Sequence, residues 1–175
     1  MIETSVASTD LVTMKLKNIK ERDQLLISIV DDEACVRESL SSLVRSMGYK
    51  VEDFASAENF LLEGKWDETV CLILDVRLQG MGGLELQRRL AEMGREHPPI
   101  VFISGHATEK EQAWASTRGA VAFLRKPFSD ELLLKAVGDS VARARSEAPP
   151  RVSLFCFFGE PEAVTANDRT TGGRR

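Results

Sequence analysis

The 175-residue sequence has little of what marks secreted, membrane-spanning or nucleic-acid-coating proteins. Its three cysteines, Cys35, Cys71 and Cys156, include no CxxC spacing, so neither a disulfide framework nor a zinc knuckle is indicated. Its apolar runs fall far short of the ~20 residues that cross a membrane. The net charge of −4 offers no basic field for nucleic acid. These absences favour a cytoplasmic protein that contacts neither membrane nor nucleic acid directly.

Between residues 25 and 145 the sequence alternates short β-type runs with amphipathic helical stretches. Five such pairs predict an α/β fold, a doubly wound (βα)5 parallel sheet covered by helices on both faces. The predicted strands are 25–30, 49–54, 70–74, 100–103 and 120–124. The predicted helices are 34–47, a short one that Ser56 caps and Gly64 ends, 84–96, 108–118 and 130–145.

Both ends of the chain fall outside this pattern. Residues 1–24 carry mixed charge around a few apolar side chains and are predicted to form a flexible or loosely helical leader. Residues 146–175 are predicted to form a partly disordered tail, because they show neither paired amphipathic helices nor a concentrated basic face. The apolar piece at 152–158 could pack on the domain, add a strand, bind a partner or result from a truncation or an altered reading frame.

Polar side chains stand at the carboxyl ends of four predicted strands. Asp31 and Asp32 follow the first strand, Asp75 the third, Ser104 the fourth and Lys126 the fifth. In a doubly wound sheet the ligand site lies outside these strand ends. The five side chains are therefore expected to converge in one crevice.

Three carboxylates in one crevice need a cation, because at ~4 Å each pair would repel by several kcal/mol. Oxygen-only ligation suits Mg²⁺, whereas zinc would require nearby Cys or clustered His. A metal-bound Asp75 could stay ionised and act as a nucleophile, giving an aspartyl-phosphate. Lys126 would neutralise the incoming phosphoryl oxygens, and the Ser104 hydroxyl would hydrogen-bond one of them.

The motifs that carry these residues resemble those of two-component response-regulator receivers. They are IVDDE at 29–33, LD at 74–75, ISG at 103–105 and LRKPF at 124–128, in the family's order over about 120 residues. FASAE at 54–58 and LQGMGGLEL at 78–86 look most like the FixJ-like subgroup. The resemblance implies a flavodoxin-like sheet of strand order 2-1-3-4-5. It also implies that Asp75 accepts a phosphoryl group from a sensor histidine kinase or phosphotransfer protein.

The resemblance further implies a metal site. Asp32, Asp75 and the backbone carbonyl of Arg77 are expected to bind Mg²⁺ directly, and Asp31 through water. Gln79 stands where the family usually has proline, which predicts a less rigid loop after the phosphoacceptor.

A conformational switch is implied as well. Ser104 and Phe123 are expected to move together on phosphorylation, changing the surface of helix four, strand five and helix five. That surface would contact an unknown downstream protein or form a homodimer. Arg77 and His106, at variable positions beside the site, are candidates for tuning the phosphate lifetime.

Three other functions stay open from the sequence. One is a phosphorylation-independent interaction module. Another is a receiver fragment of a transcription regulator that lost its DNA-binding domain, since FixJ-like proteins continue into a helix-turn-helix module. The third is a phosphatase of the haloacid-dehalogenase type, which would need a second acid where Arg77 stands. The chain is therefore expected not to be an enzyme beyond its own Mg²⁺-dependent phosphotransfer and slow dephosphorylation.

Overall fold

The computed structural model describes residues 22–93 and 97–147. Strands and helices alternate along this part of the chain, as the sequence predicted. They are β1 (Leu26–Val30), α1 (Ala34–Ser46), β2 (Lys50–Phe54), α2 (Ala57–Glu63), β3 (Thr69–Asp75), α3 (Gly83–Glu92), β4 (Ile100–Ser104), α4 (Glu109–Thr117), β5 (Ala122–Arg125) and α5 (Asp130–Glu147).

The strands form one parallel sheet in the order β2-β1-β3-β4-β5. This confirms the predicted doubly wound α/β fold and its strand order. The central strands are almost continuously apolar because both of their faces are buried. Ser28, the one polar residue of β1, is satisfied by a 2.8 Å hydrogen bond between its hydroxyl and that of Thr69. All five carboxyl ends therefore meet at one edge of the sheet.

Two apolar layers hold the helices on opposite faces of the sheet. The first layer joins α1 and α5 to the sheet, and the second joins α2, α3 and α4 to its other face. The helix residues of the first layer are Leu40, Val44, Leu133, Ala136, Val137 and Val141. Those of the second are Ala57, Phe60, Leu86, Leu90 and Ala115.

Side-chain caps fix the starts of two helices. Ser56 caps α2 as predicted, because its hydroxyl accepts the Asn59 amide at 3.1 Å. Thr108 and Glu111 form a reciprocal capping box at α4, which was not predicted from the sequence. The Glu111 amide donates to Thr108 Oγ1 at 3.3 Å, and the Thr108 amide donates to Glu111 Oε2 at 2.8 Å.

Some element boundaries differ from the prediction. Strand β3 includes Asp75 as its last residue instead of ending before it. Strand β5 begins at Ala122 and not at Ala120, because the Ala120 amide donates back to the Ala115 carbonyl of α4 at 3.1 Å. Helix α3 ends at Glu92, with Met93 as its C-cap, so the extension predicted at Met93 is wrong.

Several predictions fall on residues outside the described part of the chain. They concern 94–96 at the end of helix three, 1–21 of the leader and 148–175 of the tail. Within 22–93 and 97–147, no helix is long and apolar enough to cross a bilayer.

Gly83 tests how closely α3 approaches β3. A Cβ on Gly83 would clash with the Asp75 carbonyl oxygen and lie 3.1 Å from Leu74 Cγ. We expect Gly83→Ala to lower the free energy of unfolding by about 1–3 kcal/mol through overpacking. The control is Gly138→Ala at an exposed position in α5, where an added Cβ meets nothing within 4 Å. It should raise that free energy by about 0.5–1 kcal/mol through helix propensity.

Urea unfolding followed by far-ultraviolet circular dichroism measures both changes. Equal midpoints for Gly83→Ala and the wild type would contradict the close contact between α3 and β3.

Candidate functional site

The carboxyl edge of the sheet brings together two buried carboxylates and one ammonium. Lys126 Nζ lies 2.7 Å from Asp31 Oδ2 and 2.6 Å from Asp75 Oδ2. The Lys126 amide donates to the Ser104 carbonyl at 2.9 Å, which sets the lysine at the end of β4. The sequence therefore predicted this convergence correctly for Asp31, Asp75 and Lys126.

Backbone amides hold the other oxygen of each carboxylate. Asp31 Oδ1 accepts the Glu33 amide at 2.8 Å, and Asp75 Oδ1 accepts the Arg77 amide at 2.7 Å. Asp31 is 0% exposed and Asp75 is 4% exposed. Each carboxylate is thus fixed between its own loop and Lys126, with little freedom to turn toward solvent.

The charges in this crevice are unbalanced, since one ammonium faces two buried carboxylates. Burial raises the pKa of Asp75 above its ordinary value, although hydrogen bonds from Lys126 and the Arg77 amide oppose the shift. Burial would lower the pKa of Lys126, but its hydrogen bonds to Asp31 and Asp75 outweigh this and raise it. Lys126 therefore stays protonated at neutral pH, while Asp75 takes up a proton at a higher pH than an exposed aspartate does.

The crevice offers oxygen donors of the type that Mg²⁺ prefers, but they do not form a ready cluster of three carboxylates. Among residues 22–93 and 97–147, no three His, Cys, Asp or Glu side chains converge closely enough to hold a metal ion. The expected grouping of Asp31, Asp32 and Asp75 is therefore not found. Asp31 and Asp75 both contact Lys126, whereas the partly buried Asp32 does not join them. The donor chemistry still fits Mg²⁺, because the carboxylates outnumber the ammonium.

The two residues expected to switch lie on β4 and β5. Ser104 is fully buried, and its Oγ accepts the His106 amide at 3.3 Å. The partly buried Phe123 ring lies against Phe102, with centroids 6.0 Å apart and planes tilted by 31°. The Ser104 hydroxyl therefore holds the loop that leads to α4, and Phe123 packs beside the strand from which that loop leaves.

Arg77 reaches from the loop after β3 to the first turn of α4. Its Nη2 lies 2.7 Å from Glu111 Oε1 and 3.0 Å from Glu111 Oε2. The same atom is 3.4 Å from the His106 carbonyl oxygen. The structure thus brings together Arg77 and His106, the two candidates for tuning, and adds Glu111.

Comparison with known proteins identifies the family. The sequence profile of the response regulator receiver domain matches residues 27–138. The chain belongs to this family. Its sheet order β2-β1-β3-β4-β5 is thus that of a response regulator receiver domain.

Similar proteins share this domain and extend beyond it. Response regulator protein TodT of Pseudomonas putida is 47% identical over 141 residues, which cover 79% of this chain and 61% of TodT. Transcriptional regulatory protein FixJ of Azorhizobium caulinodans is 35% identical over 140 residues, covering 75% of this chain and 66% of FixJ. The chain thus spans about three fifths of the length of TodT.

A solved structure supports the same assignment. The crystal structure of FixJ-N matches with a TM-score of 0.60 and 32% identity, covering 67% of this chain and 95% of FixJ-N. The predicted resemblance to FixJ-like receivers is confirmed.

The contacts of two residues around the receiver's crevice were not predicted from the sequence. Glu58 of α2 accepts the Met81 amide at 2.8 Å and so anchors the loop in which Gln79 replaces proline. Glu111 pairs with Arg77, 34 positions away. The T-x-x-E pattern at 108–111 could have revealed the capping role of Glu111. No local sequence pattern predicts the Glu58–Met81 or the Arg77–Glu111 contact, because each depends on how a helix and a distant loop approach each other in space.

The buried ion pair predicts a large effect of removing its cation. Lys126→Ala leaves Asp31 and Asp75 buried beside each other, and we expect it to lower the free energy of unfolding by about 3 kcal/mol at neutral pH. The matched control is Lys135→Ala, which breaks the exposed Lys135–Asp139 pair. It should cost less than about 1 kcal/mol. Urea unfolding in EDTA compares the two, and equal losses would contradict the buried arrangement.

The burial of Asp75 also predicts a pH-dependent effect at this residue. Because its pKa is raised on folding, protonation of Asp75 favours the folded state, and this contribution is lost as the pH rises through that pKa. At neutral pH in EDTA, Asp75→Asn should raise the free energy of unfolding by about 1–3 kcal/mol. The gain should shrink as the pH falls and the wild-type carboxyl takes up its proton. Unfolding curves over a pH series test this, and a constant gain would contradict it.

Proposed function

We propose that Asp75 accepts a phosphoryl group from a sensor histidine kinase or a phosphotransfer protein. Response-regulator receivers are phosphorylated by histidine kinases, and this chain is such a receiver. The observation that carries the proposal is the buried Asp75 carboxylate, held by the Arg77 amide and by Lys126 at the end of β3. This geometry orients a carboxylate oxygen for attack and keeps a cation beside it.

The transfer exchanges one bond to phosphorus for another. An ionised Asp75 oxygen forms the new P–O bond, while the P–N bond of the donor phosphohistidine breaks and its electron pair stays on the imidazole nitrogen. The Lys126 ammonium already contacts Asp75 Oδ2. It can therefore form an ion pair with the oxygens of a phosphoryl group attached to Asp75. Because the pKa of Asp75 is raised, its nucleophilic carboxylate is lost to protonation at a higher pH than the carboxylate of an exposed aspartate.

Receivers generally bind Mg²⁺ in their acidic pocket, and the oxygen donors here suit that ion. We assign Asp31, Asp32, Asp75 and the carbonyl of Arg77 as the residues that would hold it. When bound, Mg²⁺ supplies the positive charge that two carboxylates and a phosphoryl group need beyond one lysine. The protein's own part is to fix both buried carboxylates through the Glu33 and Arg77 amides.

The proposed readout runs through β4 and β5. A phosphoryl group on Asp75 would offer acceptors to the Ser104 hydroxyl, which now accepts the His106 amide. Phe123, against Phe102, would repack as Ser104 moves. The surface of α4, β5 and α5 would then differ between the two states and recruit a downstream protein or a second copy of the chain.

The process that this receiver controls is inferred from the names of similar proteins. The name of FixJ describes a transcriptional regulatory protein, and we infer that the signal received here also ends in transcriptional control. The net charge of −4 supports signalling by protein contact in preference to nucleic-acid contact by this chain. A cytoplasmic location and a role as phosphoacceptor, not as a turnover enzyme, complete the proposal. Pull-downs with and without beryllofluoride test whether partner binding depends on the state of Asp75.

Phosphorylation itself is tested with acetyl phosphate and Mg²⁺, followed by intact-protein mass. We expect one phosphoryl group on the wild type, none on Asp75→Ala and none in EDTA. Asp139→Ala, which removes an exposed aspartate of α5, is the matched control and should be labelled like the wild type. Labelling of Asp75→Ala would place the acceptor elsewhere. No Mg²⁺-dependent labelling of the wild type would favour a phosphorylation-independent interaction module.

A further inference from the structure

The Arg77–Glu111 ion pair connects the phosphoacceptor loop to α4. The Arg77 amide is hydrogen-bonded to Asp75 Oδ1, so its side chain begins next to the reacting carboxylate. Its guanidinium nevertheless binds Glu111 and the His106 carbonyl. Arg77 thus connects the loop after β3 to the segment between β4 and α4 and to the first turn of α4.

Glu111 holds two structures with the same carboxylate. Its Oε2 accepts the Thr108 amide at 2.8 Å and contacts the Thr108 hydroxyl at 2.9 Å, which completes the α4 capping box. Both of its carboxylate oxygens also face Arg77 Nη2. The Glu111 side chain is 21% exposed and that of Arg77 is 56% exposed. The Arg77–Glu111 ion pair is therefore formed at close range, and its partial exposure to solvent lowers the cost of breaking it.

We propose that Glu111 is a positioning residue that holds the Arg77 guanidinium away from Asp75, and that a phosphoryl group on Asp75 competes with Glu111 for this guanidinium. This inference rests on the proposed function, because it requires a phosphoryl group on Asp75. It assigns Arg77 two alternative anionic partners, one on α4 and one at the reaction centre.

The competition follows from charge and reach. A phosphoryl group carries nearly two negative charges and three strong acceptor oxygens, whereas Glu111 carries one charge. Arginine binds such oxygens through its planar, multiply donating guanidinium. The long Arg77 side chain starts at an amide 2.7 Å from the Asp75 carboxylate, so it can turn toward either anion.

The competition has a consequence for the affinity of a phosphoryl mimic, because coupling between two binding events is reciprocal. If the phosphoryl group weakens the Arg77–Glu111 pair, then weakening that pair must favour binding of a phosphoryl mimic by the same factor. A partly exposed ion pair sets this factor at about two- to fivefold. The effect is thus modest and measurable.

Glu111→Gln tests the idea with little disturbance of the helix. Glutamine keeps the capping box, which accepts Glu or Gln at this position, and removes the charge that binds Arg77. The measurement is a beryllofluoride titration of the full chain at fixed Mg²⁺. It follows the fluorescence of Trp114 on α4 in a Trp66→Phe background. Trp114 is a suitable reporter because it lies within α4, where its ring centroid is 4.2 Å from the guanidinium carbon of Arg118, the C-cap residue of that helix.

We expect Glu111→Gln to tighten beryllofluoride binding about two- to fivefold, and we expect this gain to vanish in an Arg77→Gln background. Hydrogen exchange of segment 105–112 without beryllofluoride should quicken in both single variants. Glu109→Gln removes an acidic charge from the same turn of α4 without touching Arg77, so it controls for general electrostatics and should leave the affinity unchanged. Thr108→Ala weakens the cap alone and should quicken exchange without tightening binding.

Three results would overturn the inference. They are an unchanged affinity of Glu111→Gln, a gain that persists in the Arg77→Gln background, and an equal gain in Glu109→Gln or Thr108→Ala. A wild type that gives no Mg²⁺-dependent response to beryllofluoride and no labelling by acetyl phosphate would instead overturn the proposed function. The two failures are therefore distinguishable.

Discussion

The single ammonium of Lys126 between Asp31 and Asp75 is the interaction on which the rest of this receiver depends. Both carboxylates are buried, and burying either one without a cation would cost several kcal/mol. The sheet order allows Lys126 to pair with both carboxylates. Strands β1 and β3 are neighbours, and the Lys126 amide is hydrogen-bonded to the last residue of β4. One lysine does not balance the charge of two carboxylates, so the crevice keeps an excess of negative charge.

Much of this arrangement could be predicted from the sequence, because strand ends in a parallel sheet share one edge. Runs such as Leu26–Val30 identify buried strands, and the polar residues that follow them must then meet. What the sequence could not show is which partner each charge takes. Asp32 has the same residue type as Asp31 and is its neighbour, yet of the two only Asp31 binds Lys126 and only Asp31 is fully buried.

Long-range side-chain contacts were likewise beyond sequence patterns. Glu58 of α2 binds the Met81 amide in the loop after β3, and Glu111 of α4 binds Arg77 in the same loop. Spacing predicts which face of a helix a residue occupies, but not which loop lies opposite that face. The start of β5 was mispredicted for a related reason. The residues before Ala122 are apolar enough for a strand, but the amide of Ala120 is taken by α4.

The unequal burial of the last two helices indicates where a charge change at Asp75 can act. Helix α5 is fixed on the sheet by Leu133, Val137 and other buried residues, whereas α4 buries only Ala115 among its nine residues. Few buried apolar contacts mean a low cost of local movement. The position of α4 then depends more on polar contacts at its first turn, which are the Thr108 cap and the Glu111 carboxylate. These contacts adjoin the crevice, so a small electrostatic change there can shift α4 while α5 stays in place.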